Sequence, residues 1–220
     1  MPKILPYAIA AVVLVAAVVI GVQFVGDRAP APTAEAPAPA SSPATLPAVG
    51  KDERILGDPS APVTIIEYAS LTCPHCATFH TEVLPTLKKD YIDTGKVRLV
   101  YRNYPLDGVA LRASALADCS GEDRFFGFLD VLFRTQPNWS RAADPVGALQ
   151  AIARQGGMSA EQFAACLQDE TLLDKIMGER LAGADGFGVD STPSFIIQGR
   201  RYGALDIEGF RDILDPLTGS

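Results

Sequence analysis

The tetrapeptide Cys73-Pro74-His75-Cys76 constrains this chain more than any other part of it. Directly before it runs Val63-Thr64-Ile65-Ile66-Glu67-Tyr68-Ala69, a mostly apolar, β-branched and aromatic stretch that reads as a buried strand. Directly after it, Ala77 to Lys89 reads as a helix. Two cysteines three apart can close a small disulfide, and such a pair at a strand-to-helix junction is the arrangement of a thiol–disulfide exchange site. Cys73 is expected at the helix start and partly exposed, with Cys76 one turn in. The free N–H groups and the positive end of the helix dipole then face the Cys73 sulfur and favour the thiolate. Pro74 suits the first helical position, where its missing N–H would have had no partner. His75 is expected to add positive charge or a donor beside the same sulfur. A stabilised thiolate is a good leaving group, so the disulfide becomes the less stable form and the pair an oxidant.

Two other uses of these cysteines compete. One is a structural disulfide, although a three-residue spacing that opens a helix makes a poor staple. The other is a zinc or copper(I) site, because Cys73, Cys76 and His80 form C-x₂-C-x₃-H. Taken alone, His80 reads as a helix-face histidine packing near the site.

The 220 residues, 48% of them apolar, suffice for one substantial core. The net charge of −7 falls entirely on residues 51–220, and no basic patch stands out, which argues against a nucleic-acid partner. Tyr7 to Val25 carries no charge, and at about 1.5 Å per residue spans roughly 28 Å, close to a bilayer core. Residues 1–28 are therefore expected to form an uncleaved signal anchor with a single transmembrane helix. A cleaved signal peptide, leaving a soluble protein, is the alternative. Lys3 favours a cytoplasmic start with the rest exported. Residues 29–50 form a Pro/Ala-rich linker, extended and semi-stiff. The folded domain is expected over residues 51–220.

Within that domain Val97 to Arg102 alternates as a second strand, ended by Pro105 and Gly108. Helical patterns follow over Leu111–Cys119 and over Asp123–Arg134, whose apolar face carries Phe125, Phe128 and Phe133. Asp144-Pro145 opens a third helix, Ser159 with Gln162 a capping box for a fourth, and Glu170 to Ala182 continues helical. Ser194–Gln198 and Arg201–Gly203 then flank a hairpin turn at Gly199-Arg200, and a last helix runs from about Asp206 to Leu214. Strands that resume after a helical block point to one α/β domain with an α-helical insertion at about residues 107–187. In an exported protein the even cysteine count invites a Cys119–Cys166 disulfide, with two free buried cysteines as the alternative. Thr192-Pro193 puts a proline at the start of a strand, where a cis bond is one explanation among others.

The run Ile66 to Cys76, with Glu67 six residues before the first cysteine, and the late Gly188-Val189…Thr192-Pro193-Ser194-Phe195 resemble the DsbA-like thiol:disulfide oxidoreductases. The resemblance covers roughly residues 51–218 and implies a thioredoxin-like fold with an inserted helical domain. It implies that Cys73 is the attacking thiol, Cys76 the resolving one, and Pro193 a cis residue facing the disulfide. It also implies that Glu67 is a buried acid beneath Cys76, whereas the residues alone suggest a carboxylate reaching solvent at a strand end. Pro74, His75 and Thr192 complete the expected catalytic set. Thr192 departs from the valine of the best-known periplasmic oxidases, and its hydroxyl is expected to shift the redox poise. The activity implied is a periplasmic dithiol oxidase, without a cofactor, acting on reduced exported proteins. A quinone-linked, DsbB-like membrane partner would reoxidise it, and the N-terminal helix would hold it at the inner membrane. An isomerase or reductase would use the same chemistry at a different poise.

Overall fold

The computed structural model describes Gly50 and residues 53–219. The expected span within residues 1–28, and the linker at 29–50 apart from Gly50, lie outside the described residues. No helix among the described residues is long and apolar enough to cross a membrane.

The apolar run before the cysteines forms β2 (Val63–Ala69), buried at every position but Thr64. It lies in the middle of a sheet of order β1-β3-β2-β4-β5. On one side β2 pairs in parallel with β3 (Val97–Asn103), from Val63 opposite Val97 to Ala69 opposite Asn103. On the other it pairs antiparallel with β4 (Ser194–Ile197), Glu67 opposite Phe195 and Tyr68 opposite Ser194. The edges are β1 (Arg54–Leu56), antiparallel to β3, and β5 (Arg200–Tyr202), antiparallel to β4. Three residues are too few for a periodicity, so β1 is not visible in the sequence; its pairing with β3 creates it. The hairpin turn falls at Gln198-Gly199, one residue earlier than expected. Both residues have positive φ, 49° and 76°, as a tight two-residue hairpin turn requires, and Arg200 is thereby released into β5.

A parallel β2–β3 pair needs a crossover, and helix α1 over residues 74–92 supplies it. Its α-helical turns, Pro74–Thr78 and Leu84–Leu87, alternate with π-helical turns at Phe79–Val83 and Lys88–Ile92. Pro85 has no N–H to give the preceding turn, a recognised cause of such widening. Phe79 and His80, consecutive residues, are both buried.

Between β3 and β4 the chain is helical: α2 (Gly108–Cys119), α3 (Phe125–Arg134), α4 (Gln136–Ser140), α5 (Pro145–Gln155), α6 (Ala160–Leu167) and α7 (Glu170–Phe187). Asp144 caps α5 through the Gly147 N–H, and Ser159 and Gln162 close the capping box of α6. Helix α8 (Ile207–Thr218) ends the domain. Side chains of Val63 and Ile65 pack under Phe79, Phe195 and Phe210 on one sheet face. Further along the same face Ala69 and Tyr101 meet Phe125, Phe133 and Trp139 of the helical segment. Tyr68 and Ile66 point to the opposite face, where Phe187 and Ala184 of α7 cover them. A Cβ on Gly183 would come within 2.6 Å of the Tyr68 ring, so glycine lets α7 lie this close to β2.

Polar ties fasten the helical segment to the sheet. Arg54 on β1 pairs with Asp118 on α2 at 2.8 Å. Glu179 on α7 accepts hydrogen bonds from the Asn103 backbone N–H at 2.7 Å and from Asn103 Nδ2 at 3.1 Å. Burial holds the Glu179 carboxyl up at about 7, with the Asp118 charge adding to it and the Asn103 bonds opposing it. Cys119 Sγ and Cys166 Sγ are bonded, joining α2 to α6 across a separation of 47 residues.

Two outcomes are expected. Replacing Cys119 and Cys166 together by alanine lowers the unfolding free energy by about 2–4 kcal/mol, read from urea melts under oxidising and reducing conditions. Glu179 binds its proton more tightly folded than unfolded, so its stabilising contribution is full below the ordinary carboxyl range and is lost as pH rises through about 7. Glu179→Gln should therefore reduce the fall in stability between pH 5 and pH 8, a fall worth up to about 3 kcal/mol by linkage.

Candidate active site

The strand-to-helix junction after β2 sets the position of both cysteines. Cys73 is the N-cap of α1, with φ −80° and ψ 120°, and its carbonyl accepts from the Ala77 N–H at 3.2 Å. Pro74 occupies the first helical position. Pro74 and His75 are exposed, whereas Cys73 is only 6% and Cys76 0% exposed. The expectation of a partly exposed Cys73 is corrected here: Leu71, Ala77 and the helical segment pack around the junction. Both thiols are free.

Residues remote in sequence hold the loop. Gln136 Nε2, buried on α4, donates to the Leu71 carbonyl at 2.8 Å and to the Cys73 carbonyl at 2.9 Å. The Thr72 hydroxyl donates to Asp107 Oδ2 at 2.7 Å, and Asp107 also caps α2. Opposite the cysteines the Thr192–Pro193 peptide bond is cis, and the Cys73 thiol donates to the Thr192 carbonyl at 3.2 Å. The Thr192 Oγ1 is buried without a hydrogen-bond partner. Once Cys73 has lost its proton it can no longer donate to that carbonyl, and the Thr192 hydroxyl is one of the groups that favour the thiolate.

The two thiols are driven apart. Cys73 is brought down to about 5, chiefly by a hydrogen bond from the Cys76 thiol, with the Thr192 hydroxyl and the backbone N–H groups of Cys76 and His75 adding to it against burial. Cys76 is pushed well above the usual thiol range by burial first, then by its bond to Cys73 and by the Glu67 charge. The contribution of His75 to Cys73 in this set is its backbone N–H, whereas the sequence pointed to its imidazole.

Glu67 is completely buried, not at solvent. In the sheet it sits between Tyr101 of β3 and Phe195 of β4. His80 Nε2 lies 3.0 Å from both Glu67 oxygens. His80 is thus turned to Glu67, and the Cys73, Cys76, His80 ligand set is not assembled. Among the described residues no cluster of three histidine, cysteine or acidic side chains is placed to hold a metal ion. Sequence reasoning missed Gln136, Asp107 and the Glu67–His80 pairing. For the last, a signal existed in the burial of β2, since an acid inside a buried strand requires a partner.

Comparison with known proteins agrees with this geometry. Residues 50–216 match a family model described as Thioredoxin. A "putative protein-disulfide oxidoreductase" of Rickettsia bellii is 32% identical over 152 residues, covering 69% of this chain and 59% of the relative. One of Rickettsia typhi is 32% identical over 168 residues, covering 76% of this chain and 62% of the relative. The chain thus spans about three-fifths of the length of these relatives. The crystal structure of Wolbachia pipientis alpha-DsbA1 superposes with a TM-score of 0.73 at 32% identity, covering 79% of this chain and 94% of that one. With its Cys-x-x-Cys helix start, its cis-proline opposite, and helices set between β3 and β4 of a thioredoxin-like sheet, the chain belongs to the DsbA-like family.

Proposed function

We propose that the chain is a thiol:disulfide oxidoreductase acting as a dithiol oxidase through Cys73 and Cys76. The observation that carries this reading is the separation of the two thiols, Cys73 brought down to about 5 and Cys76 pushed far up. A substrate thiolate attacks Cys73 Sγ in the Cys73–Cys76 disulfide. The bond between the two enzyme sulfurs breaks, and Cys76 leaves as a thiolate that takes up a proton. A second thiolate of the substrate then attacks the substrate sulfur of the mixed disulfide and expels Cys73. The substrate leaves with a disulfide, and the enzyme keeps a Cys73 thiolate and a Cys76 thiol. Because that thiolate is stabilised, the reduced enzyme is favoured and electrons flow from substrate to enzyme.

Pro193 and Thr192 form the wall opposite Cys73. The Thr192 hydroxyl supports the oxidase direction, since a donor to the thiolate stabilises the reduced form. Glu67 is the buried acid of the site. The substrates are reduced exported proteins, and a quinone-linked, DsbB-like membrane partner restores the disulfide. A periplasmic location, with the apolar N-terminal stretch as tether, accords with the Cys119–Cys166 disulfide, since such bonds persist in oxidising compartments. An isomerase or reductase would require a less stable Cys73 thiolate.

Two measurements test the reading. The rate of Cys73 alkylation should follow a single titration with its midpoint near 5, and Thr192→Val should move that midpoint upward and make the protein a weaker oxidant. Oxidised protein should introduce a disulfide into a reduced dithiol peptide, with Cys73→Ser abolishing the reaction and Cys76→Ser trapping a mixed disulfide. A Cys73–Cys76 potential in glutathione buffers as low as that of thioredoxin, about −270 mV, would overturn the oxidase assignment in favour of a reductase.

A further inference from the structure

We propose that His80 is a positioning residue of the Cys73–Cys76 centre: facing both Glu67 oxygens, it holds the buried carboxyl where its charge falls on Cys76 and does not oppose the Cys73 thiolate. The inference rests on the redox role assigned to these cysteines.

The geometry is that of a closed pair. The side chains of Glu67 and His80 are 0% and 4% exposed, so water does not solvate the carboxylate. Both Glu67 oxygens lie 3.0 Å from the same nitrogen, His80 Nε2. An isolated buried carboxylate costs several kcal/mol, and a hydrogen-bonded partner that shares a proton with it removes most of that cost.

The ring that does this is itself fixed from a distance. His80 stacks on Phe133 with centroids 4.1 Å apart and planes 20° apart, and meets Tyr101 edge-on at 6.0 Å. Phe133 belongs to α3, in the helical segment, while His80 follows Phe79 in the first π-helical turn of α1. The helical segment therefore orients His80, His80 orients Glu67, and Glu67 is the acid whose charge acts on Cys76. The titratable groups around the pair are Cys76 and Cys73 at the start of α1 and the Tyr101 hydroxyl on β3, which is buried and without a hydrogen-bond partner. Phe133 of α3 and Phe195 of β4 complete the surround and carry no charge.

The experiment compares the glutathione equilibrium of the whole protein with that of His80→Phe, which keeps a ring for Phe133 to stack on. Loss of the partner leaves Glu67 to oppose the thiolate. The equilibrium should then shift toward the disulfide by about tenfold, about 30 mV for two electrons. Glu67→Gln in the same background should abolish that shift. A folded His80→Phe protein with the wild-type equilibrium overturns the proposal, as does a shift that persists in the double variant, which would mean packing alone. Should His80→Phe not fold, 15N NMR of His80 and isotope-edited infrared spectra of Glu67 in the wild type decide the matter. A Glu67 carboxyl hydrogen-bonded to His80 Nε2 in both redox states supports it, and a Glu67 carboxyl without that bond overturns it. A wild type that fails to exchange with glutathione at all would defeat the redox role itself, a distinct outcome.

Discussion

The antiparallel pairing of β4 against β2 is the constraint on which the site depends. With Tyr68 opposite Ser194, the two strands carry their adjoining loops to the same end of the sheet. One loop brings Cys73 and the other Thr192 and Pro193, residues 119 apart along the chain but 3.2 Å apart between Cys73 Sγ and the Thr192 carbonyl. A slip of one residue in this register would turn Phe195 and Ile197 out of the core face. The same slip would part the sulfur from its opposite wall. The apolar contacts that fix the register, Phe79 with Phe195 and Phe210, therefore also fix the chemistry.

The helical segment contributes more than cover. Gln136 holds two carbonyls of the active-site loop, Phe133 holds the His80 ring, and Asp107 ties Thr72 to the start of α2. Its own anchorage runs through Arg54–Asp118, Asn103–Glu179 and the close approach of Gly183 to Tyr68. The buried polar groups at this junction face one another, so each bond loses its partner if the segment moves.

Local sequence showed the parts whose cause is local. The Val63–Ala69 strand follows from β-branched residues, the N-caps at Asp144 and Ser159 from their side-chain oxygens, and the strand-to-helix junction from Pro74. What depended on distant partners was hidden or misread. Strand β1 exists because β3 offers it an edge, and the hairpin turn is placed by Gly199 taking the second positive-φ position. The burial of Cys73 and the turning of His80 toward Glu67 are likewise tertiary. The spacing of Cys73, Cys76 and His80 looked like a ligand set because spacing says nothing of the competing acid one strand away. The likeness to a family pointed to Glu67 where the residues alone pointed outward, and it left the partner of that acid unnamed.

The two ends of the sheet have a consequence of their own. Each edge strand is three residues long and carries arginine: Arg54 on β1, and the exposed Arg200 and Arg201 on β5. Under the proposed function, unfolded cysteine-bearing substrates would bring many stretches able to add themselves to an open sheet. Short rims give such a stretch few backbone groups to zip against. A client of the proposed activity would thereby be offered a brief sulfur-centred encounter in place of prolonged capture along the sheet, with turnover kept apart from trapping.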